Sequence, residues 1–355
     1  MTRNKNIALV HVNLKVGGAE RSTLLLYDIL SRYYNVYIIL IEDVKDLEFE
    51  GNILALSSTK SFILNKISKA YQLFKTLKKL DIDIVIDSRT KQSLFKESLF
   101  LLIYHKYKKI YLIRSYNISN YLCNNNFFSR YILRQVDHFV CVSKEIETLV
   151  KKRIKASPVS SINNYFKINT DTLHPIELCN SYILYFGRIE NHCKDLLFLI
   201  ESYSKSLLPD IDIKLVLLGD GIDKESLIKK VNHLGLSNKI LFRESVTNPV
   251  NYIKNAIYTV MTSNYEGFPR AILESLSLGI PVVATRFKSG LDELVKNRYN
   301  GLITEKNQSC FIKALEEMIS NKELYINCKS NAEESVLHLN ENNIAKQWKN
   351  LIDNL

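Results

Sequence analysis

The stretch Asn264-Tyr265-Glu266-Gly267-Phe268-Pro269-Arg270-Ala271-Ile272-Leu273-Glu274 sets two carboxylates eight residues apart around the start of a helix. Before it, Tyr258-Thr259-Val260-Met261-Thr262-Ser263 reads as a strand, and Pro269 suits the first helical turn, where a missing N–H costs nothing. Gly279 then ends the helix and Pro281 keeps it from resuming. Glu266 therefore belongs to a strand-to-helix loop, and Glu274 to the helix, about a turn and a half further in. N–H groups of Phe268, Arg270 and Ala271 at the helix start face the same space and offer donors to hydroxyl or phosphate oxygens. Acceptors and donors that converge in this way suit a polyol. The same spacing also fits a Glu266 that caps the helix and a Glu274 that lies in solvent.

Outward from this block, apolar strand-like runs alternate with helical patterns, the signature of parallel sheets covered on both faces. Strands are expected at 7–12, 36–41, 53–56, 82–87, 110–115 and 138–143, and again at 182–187, 214–219, 240–245, 258–263, 281–285 and 301–304. Each half reads as a doubly wound α/β domain. The expected division is 1–170, 171–335 and a C-terminal helix at 336–355, with a linker over 163–180 where Asn, Thr and Pro175 interrupt the periodicity. Ligands in such domains bind beyond the carboxyl ends of the strands, so the chemistry is expected in those loops, facing a cleft between the halves.

A chain of 355 residues exceeds the usual single core, in keeping with two domains. Its apolar fraction of 46% and charged fraction of 24% are those of a globular protein. There is no run of 18 apolar residues, and Met1-Thr2-Arg3-Asn4-Lys5-Asn6 leads into a strand rather than a signal peptide, so a cytoplasmic protein is expected. Cys123, Cys141, Cys179, Cys193, Cys310 and Cys328 are scattered without a C-x-x-C or Cys/His cluster, which argues against zinc and for a reducing compartment.

The net charge of +11 is unevenly spread: residues 1–170 hold 27 Lys and Arg against 14 Asp and Glu, or +13, and the remainder holds 21 against 23, or −2. Lysines cluster from Lys60 to Lys79, at Lys106-Tyr107-Lys108-Lys109 and at Lys151-Lys152-Arg153-Ile154-Lys155. In the first cluster Phe62, Ile63, Ile67, Ala70, Tyr71, Phe74 and Leu77 recur at helical spacing, giving a basic amphipathic helix. Such a helix can rest on anionic lipid, or it can pack on the core with its lysines in solvent.

Three strand-end loops offer anion-binding groups. The first strand is followed by Gly17-Gly18-Ala19-Glu20-Arg21 and a helix, so Gly17 and Gly18 allow close approach of a bulky anion; a tight turn accounts for them equally well. This is neither the G-x-G-x-x-G of nicotinamide enzymes nor a P-loop. Tyr185-Phe186-Gly187-Arg188 ends another strand, with Lys194 six residues on. Arg188 and Lys194 can both reach one diphosphate, the Arg as a planar fork and the Lys as a point charge, and two cations stabilise a departing nucleoside diphosphate without a metal. Plain surface cations are the alternative. Leu217-Leu218-Gly219-Asp220-Gly221 supplies a flexible loop, and Arg243-Glu244-Ser245-Val246-Thr247 supplies backbone groups that suit a nucleobase edge. The D-x-D motifs Asp81-Ile82-Asp83 and Asp210-Ile211-Asp212 precede their strands, at the edge opposite the expected site, so no metal site is expected. His11 ends the first strand, where a hydrogen-bonded structural role suits it best.

Taken together, these residues resemble retaining glycosyltransferases of family 4 with the GT-B fold. The resemblance spans nearly the whole chain and rests on Gly17 to Arg21, Val140-Cys141-Val142-Ser143-Lys144-Glu145, Phe186-Gly187-Arg188 with Lys194, Leu218-Gly219-Asp220-Gly221, and above all on Glu266 to Glu274 followed by Leu278-Gly279-Ile280-Pro281-Val282-Val283-Ala284-Thr285 and Asn300-Gly301-Leu302. It implies an α/β GT-B protein in which two Rossmann-like doubly wound domains face a central cleft. It further implies that Gly17 and Gly18 lie beside the donor's phosphates, that Arg188 and Lys194 clamp the diphosphate, and that Glu266 contacts the transferred sugar with the N–H groups of Phe268, Pro269-flanked Arg270 and Ala271. Glu274 then holds the ribose and the segment around Val246 meets the base. The C-terminal helix around Trp348 packs back on the first domain. One departure stands out: where many members place a histidine after the strand 110–115, Tyr116-Asn117 follows, and a tyrosine does not titrate near neutrality as imidazole does.

The function implied is a retaining, metal-independent hexosyltransferase. It takes a nucleoside diphosphate sugar, UDP-linked, as co-substrate, needs no cofactor, and passes the sugar to a hydroxyl of a glycan or lipid-linked oligosaccharide. Abundant Lys, Asn, Ile and Tyr suggest an AT-rich bacterial genome, where capsule or O-antigen assembly fits, and the basic first half suits peripheral contact with an anionic inner membrane leaflet. Two other readings share some of these features. A GT-B-shaped epimerase needs an acid and base pair that is not evident. A basic nucleic-acid binder predicts salt-dependent oligonucleotide binding without turnover, and the clustered strand-end loops argue against it, so no nucleic-acid partner is expected.

Overall fold

The computed structural model describes residues 3–15, 17–46, 49–58, 62–91, 93–122, 127–155, 157–167 and 181–355. Most of the expected linker, together with Lys60, Cys123, Cys179 and the side chains of Phe62 and Ile63, lies outside them. The chain divides into two compact units, one running to Asn164 and including Glu341–Leu355, the other Tyr165–Asn340.

In the first unit the order is β1 (Asn6–His11), α1 (Gly18–Leu30), β2 (Asn35–Leu40), β3 (Ile53–Ala55), α2 (Phe62–Lys79), β4 (Ile84–Asp87), α3 (Leu94–Ile103), β5 (Lys108–Ile113), α4 (Phe127–Leu133), β6 (His138–Cys141), α5 (Lys144–Arg153) and β7 (Val159–Ser161). In the second it is β8 (Tyr182–Phe186), α6 (Asn191–Lys194), α7 (Leu196–Ser204), β9 (Lys214–Leu218), α8 (Lys224–His233), β10 (Ile240–Arg243), α9 (Val250–Lys254), β11 (Thr259–Met261), α10 (Arg270–Ser277), β12 (Val282–Thr285), α11 (Leu291–Leu294), β13 (Gly301–Thr304), α12 (Gln308–Ser320) and α13 (Lys322–Val336). The last helix, α14 (Glu341–Asp353), belongs to the first unit.

Both sheets are parallel, with strand orders β3-β2-β1-β4-β5-β6-β7 and β10-β9-β8-β11-β12-β13. Each is therefore a doubly wound Rossmann-like sheet whose winding reverses once, between β1 and β4 and between β8 and β11. Every expected strand is present, with ends shifted by one or two residues. The late start of β4 has a local cause: Asp81 takes a left-handed turn at φ 48°, and the Asp83 carboxylate accepts the Asn6 N–H at 2.7 Å. The three-residue edge strand β7 was not expected, because Val159-Ser160-Ser161 is too short and polar to carry a strand pattern; it forms by pairing with β6.

Burial on both faces explains the unbroken apolar runs. Ile183 and Tyr185 of β8 face a core shared with Leu199 of α7, Leu227 of α8 and Phe311 of α12, while Tyr182, Leu184 and Phe186 face a second core with Ile253 and Ile280. In the first unit, Ala8, Val10, Ile39 and Val85 pack against Leu73 and Leu77 of α2 and Ile103 of α3.

Candidate functional site

At the reversal point of the second sheet, two loops leave the carboxyl ends of neighbouring strands. The first follows β8 and carries the short helix α6. The second follows β11 and leads into α10. They are bound to each other through the carbonyls of the first loop: Asn264 N–H donates to the Cys193 carbonyl at 2.8 Å, Asn264 Nδ2 to the His192 carbonyl at 2.8 Å, and Thr262 Oγ1 to the carbonyls of Lys194 and Asp195 at 3.0 and 3.1 Å. Lys306 closes the far side, pairing with Asp195 at 2.7 Å and donating to Asn264 Oδ1 and, at 3.2 Å, to the Thr262 carbonyl.

Within this frame Lys194 Nζ lies 2.5 Å from Glu266 Oε1, and Ser263 Oγ donates to the same oxygen at 2.6 Å. Burial lowers the ammonium's pKa, but the Glu266 carboxylate outweighs it and holds Lys194 above the usual lysine range. The cation therefore stays charged at any physiological pH. Arg188 extends into solvent and pairs with Glu190 at 3.1 Å, so the two expected diphosphate cations are engaged by different carboxylates.

The loop bearing Glu266 is held from behind by residues 288–290. Glu266 N–H donates to the Lys288 carbonyl at 3.0 Å, and Ser289 Oγ donates to the Gly267 carbonyl at 2.7 Å. Gly290 sits at φ 80°, and a Cβ there would lie 2.6 Å from Pro269 Cδ. Among the described residues no side-chain cap bond to α10 is made: Pro269 precedes its first residue, and Ile272 and Leu273 both donate to the Pro269 carbonyl. Glu266 is thus not a helix cap. The N–H groups of Arg270 and Ala271 come before that first intrahelical bond and define the positive end of the helix beside Phe268, which is buried. Glu274 is not solvated either; it is buried and accepts from Arg270 Nη2 at 2.9 Å. At the C-terminus Gly279, at φ 73°, ends the helix as its position suggested.

The loops after β9 and β10 lie beside these. Asp220 pairs with Lys224 at 2.6 Å and accepts the Ser245 N–H at 2.8 Å; these two bonds hold its carboxyl down at about 2 and fix the segment that carries Val246. The second unit thereby brings Lys194 to Glu266, Arg270 to Glu274, and Asp220 to the Val246 loop.

Residues 174–335 match the family Glycosyl transferases group 1, which takes in all of these groups. Over 332 residues the chain is 28% identical to N-acetylgalactosamine-N,N'-diacetylbacillosaminyl-diphospho-undecaprenol 4-alpha-N-acetylgalactosaminyltransferase of Campylobacter jejuni, covering 88% of this chain and 89% of that one. It is 28% identical over 200 residues to the lipopolysaccharide 1,6-galactosyltransferase of Salmonella typhimurium, 53% of this chain and 54% of the relative. In structure it matches Anabaena Alr3699/HepE in complex with UDP and glucose with a TM-score of 0.81 at 18% identity, over 99% of this chain and 100% of that one. The chain is a glycosyltransferase. Its fold is GT-B, as the Glu266 to Glu274 block led us to expect.

In the first unit of the glycosyltransferase, Gly17 and Gly18 stand at the start of α1. Gly17 is extended at φ −172°, its carbonyl accepts the Arg21 N–H at 3.1 Å, and Arg114 from the end of β5 donates to the Ala19 carbonyl at 2.6 Å and to Thr23 Oγ1 at 2.7 Å. Tyr116, after the end of β5, is half-buried. Both D-x-D motifs serve the fold: Asp81 and Asp83 pair with Arg3, and Asp212 pairs with Lys239 at 2.9 Å. Among the described residues no group of three or more His, Cys, Asp or Glu could hold a metal ion.

Sequence reasoning missed two features. The clamp made by Thr262, Asn264 and Lys306 joins residues more than forty positions apart and has no local signal. Beneath the first unit's reversal point lies a buried charge cluster. Asp87 Oδ2 accepts from Arg89 at 2.5 Å, Lys91 lies 3.4 Å from Asp87 Oδ1, Glu97 lies 3.7 Å from Arg89, and the Arg89 guanidinium stacks 3.3 Å from the Phe100 ring centre. Burial alone would raise Asp87, but Arg89 and Lys91 outweigh it and hold the carboxyl below its ordinary range. The alternation Asp87-Ser88-Arg89-Thr90-Lys91 at a strand end was the available clue.

Proposed function

We propose that the enzyme transfers a hexose from a UDP-sugar, with retention and without a metal ion, to a hydroxyl of a lipid-linked oligosaccharide during bacterial surface-polysaccharide assembly on the cytoplasmic side of the membrane. The observation that carries this reading is the Lys194–Glu266 pair, held on two interlocked loops at the sheet's reversal point. A donor diphosphate competes with Glu266 for the Lys194 ammonium, and Arg188, already in solvent, swings from Glu190 onto the same phosphates. Glu266, with Ser263 behind it, then turns to the sugar hydroxyls. The start of α10 adds N–H donors and Glu274 takes the ribose hydroxyls. The C1–phosphate oxygen bond breaks as the acceptor oxygen bonds to C1 on the same face, and the acceptor proton passes to the leaving phosphate. The charge that develops there falls on Lys194 and Arg188. The names of the Campylobacter and Salmonella relatives support a diphospho-undecaprenol or lipopolysaccharide acceptor, and the UDP and glucose of the Anabaena complex support the donor class.

Lys194→Ala removes a charge-assisted contact of about 1.5 to 3 kcal/mol, so kcat/KM falls about ten- to a hundredfold. Equal turnover by parent and variant would reject the clamp. For Glu274→Gln, calorimetry with UDP gives weaker binding; unchanged affinity would confine Glu274 to holding Arg270.

A further inference from the structure

The amphipathic helix expected within Lys60 to Lys79 is α2, and it has not one apolar face but two. Leu73 and Leu77 pack into the core. Ile67, Tyr71 and Phe74, at positions i, i+4 and i+7, form a stripe on the outside, with Ile67 63% and Tyr71 64% exposed. The neighbouring helix α3 repeats the pattern at the same spacing: Phe95, Leu99 and Leu102 point outward, Phe95 at 83% and Leu102 at 68%, while Leu101 and Ile103 are buried. Next to it α4 exposes Phe128 and Tyr131. The three helices are neighbours, α2 beside α3 and α3 beside α4. Of fifteen large exposed apolar side chains among the described residues, eight lie on these helices, and the remainder are scattered. A solvent-facing stripe at heptad-like spacing on two separate helices is not incidental, because each such side chain forgoes burial that the opposite face of its own helix obtains.

The surroundings of the stripes select the partner. Helix α2 carries Lys66, Lys69, Lys75, Lys78 and Lys79 and no acid, α3 adds Lys96, and its one acid, Glu97, is buried. Lys78 stands one turn beyond Phe74, in line with the stripe, and Lys75 flanks it. Basic side chains around projecting aromatic and aliphatic ones match an anionic bilayer, whose phosphates meet the lysines while the rings enter the headgroup and acyl boundary.

We infer that the α2–α3–α4 face of the first unit docks on an anionic lipid bilayer by inserting Ile67, Tyr71, Phe95 and Leu102, with the lysines of α2 and α3 on the lipid phosphates. The inference rests on the lipid-linked acceptor proposed above and names the surface that meets the membrane bearing it. Among the described residues no helix is long and apolar enough to cross a membrane, so this contact is peripheral.

The test is co-sedimentation of the full chain with phosphatidylcholine vesicles, with and without phosphatidylglycerol. The parent binds the anionic vesicles and not the neutral ones. Combined Lys75→Gln, Lys78→Gln and Lys96→Gln lowers the partition coefficient by about a hundredfold, at about fivefold per basic residue near such a surface. Combined Tyr71→Ser, Phe95→Ser and Leu102→Ser lowers it at least about tenfold and leaves a remnant that added salt abolishes. All these residues are exposed, so thermal unfolding of the variants matches the parent. Failure of the parent to bind anionic vesicles, or equal binding by both variants, overturns the inference. So does concentration-dependent self-association that the serine variant abolishes, which would assign the face to a second copy. Donor hydrolysis in the absence of vesicles is measured alongside: its loss from the parent counts against the transfer reading, and its retention with failed vesicle binding counts against the docking surface alone.

Discussion

His11 closes β1 with its ring buried and Nδ1–H given to the Asn13 carbonyl at 2.7 Å. Burial first, and then the positive field of Arg114, lower its pKa to about 4, against a weaker opposing pull from Asp87. The unfolded chain binds this proton near 6.5, so the folded state prefers the neutral ring and is favoured above that value. As pH falls from about 6.5 to 4, the unfolded state takes up a proton that the folded state refuses. The stability difference contributed by this one group shrinks by up to about 3 kcal/mol. His11→Gln keeps a side-chain N–H and removes the titration. The gap in unfolding free energy between parent and variant, measured by urea denaturation, is therefore expected to narrow by that amount between pH 7 and pH 4; a constant gap would mean that the ring is more solvated than its surroundings imply. The same preference for the neutral form makes His11 a poor proton acceptor near neutrality.

Strand-end loops depend on close backbone contacts that only certain residues permit. Gly219, after β9, has φ 153°, and a Cβ on it would lie 1.9 Å from the Gly187 carbonyl oxygen after β8. Gly219→Ala must therefore push the β8 loop, with Arg188 on it, away from its neighbour. Backbone strain of this kind costs about 1 to 3 kcal/mol, so a drop in melting temperature together with a lower kcat is expected. An unchanged melting curve would show that the loop yields freely. This also marks what the sequence could disclose. The strands were legible because two-sided burial writes continuous apolar runs, and the carboxylates Glu266 and Glu274 were legible because a proline and two glycines fix the helix around them. The partners of those carboxylates were less so. Lys194 meets Glu266 across 72 residues, on the neighbouring loop, and Arg188 turns to Glu190 two residues along its own loop rather than joining Lys194, so neither pairing follows from the spacing of the cations alone. The outward stripe on α2 was hidden for a related reason: Ile67, Tyr71 and Phe74 share helical spacing with Ala70 and Leu77, and only the packed structure separates the face toward the core from the face away from it.

At the scale of the whole chain, the last helix ties the carboxyl terminus into the first unit. Trp348, Ile344, Ala345 and Ile352 of α14 are buried, Lys5 donates to the Ile352 carbonyl at 2.6 Å, and the Tyr34 hydroxyl donates to Asp353 at 2.7 Å. Arg32 pairs with Glu341 at 2.5 Å at the other end of the helix. Helices α1 and α14 thus pack as one layer although more than three hundred residues separate them in sequence. Trp348 is the only tryptophan, so its fluorescence reports the first unit alone. Replacing a buried tryptophan by alanine costs about 3 to 5 kcal/mol, because the contacts go and the cavity does not fully close. Trp348→Ala removes the only tryptophan, so its destabilisation is read by circular dichroism, where the first unit is expected to unfold at lower urea while the transition of the second unit keeps its midpoint. In the parent, tryptophan fluorescence follows the first-unit transition. A single transition that moves as a whole would mean that the two units unfold as one, and α14 would then stabilise the entire enzyme rather than the unit it covers.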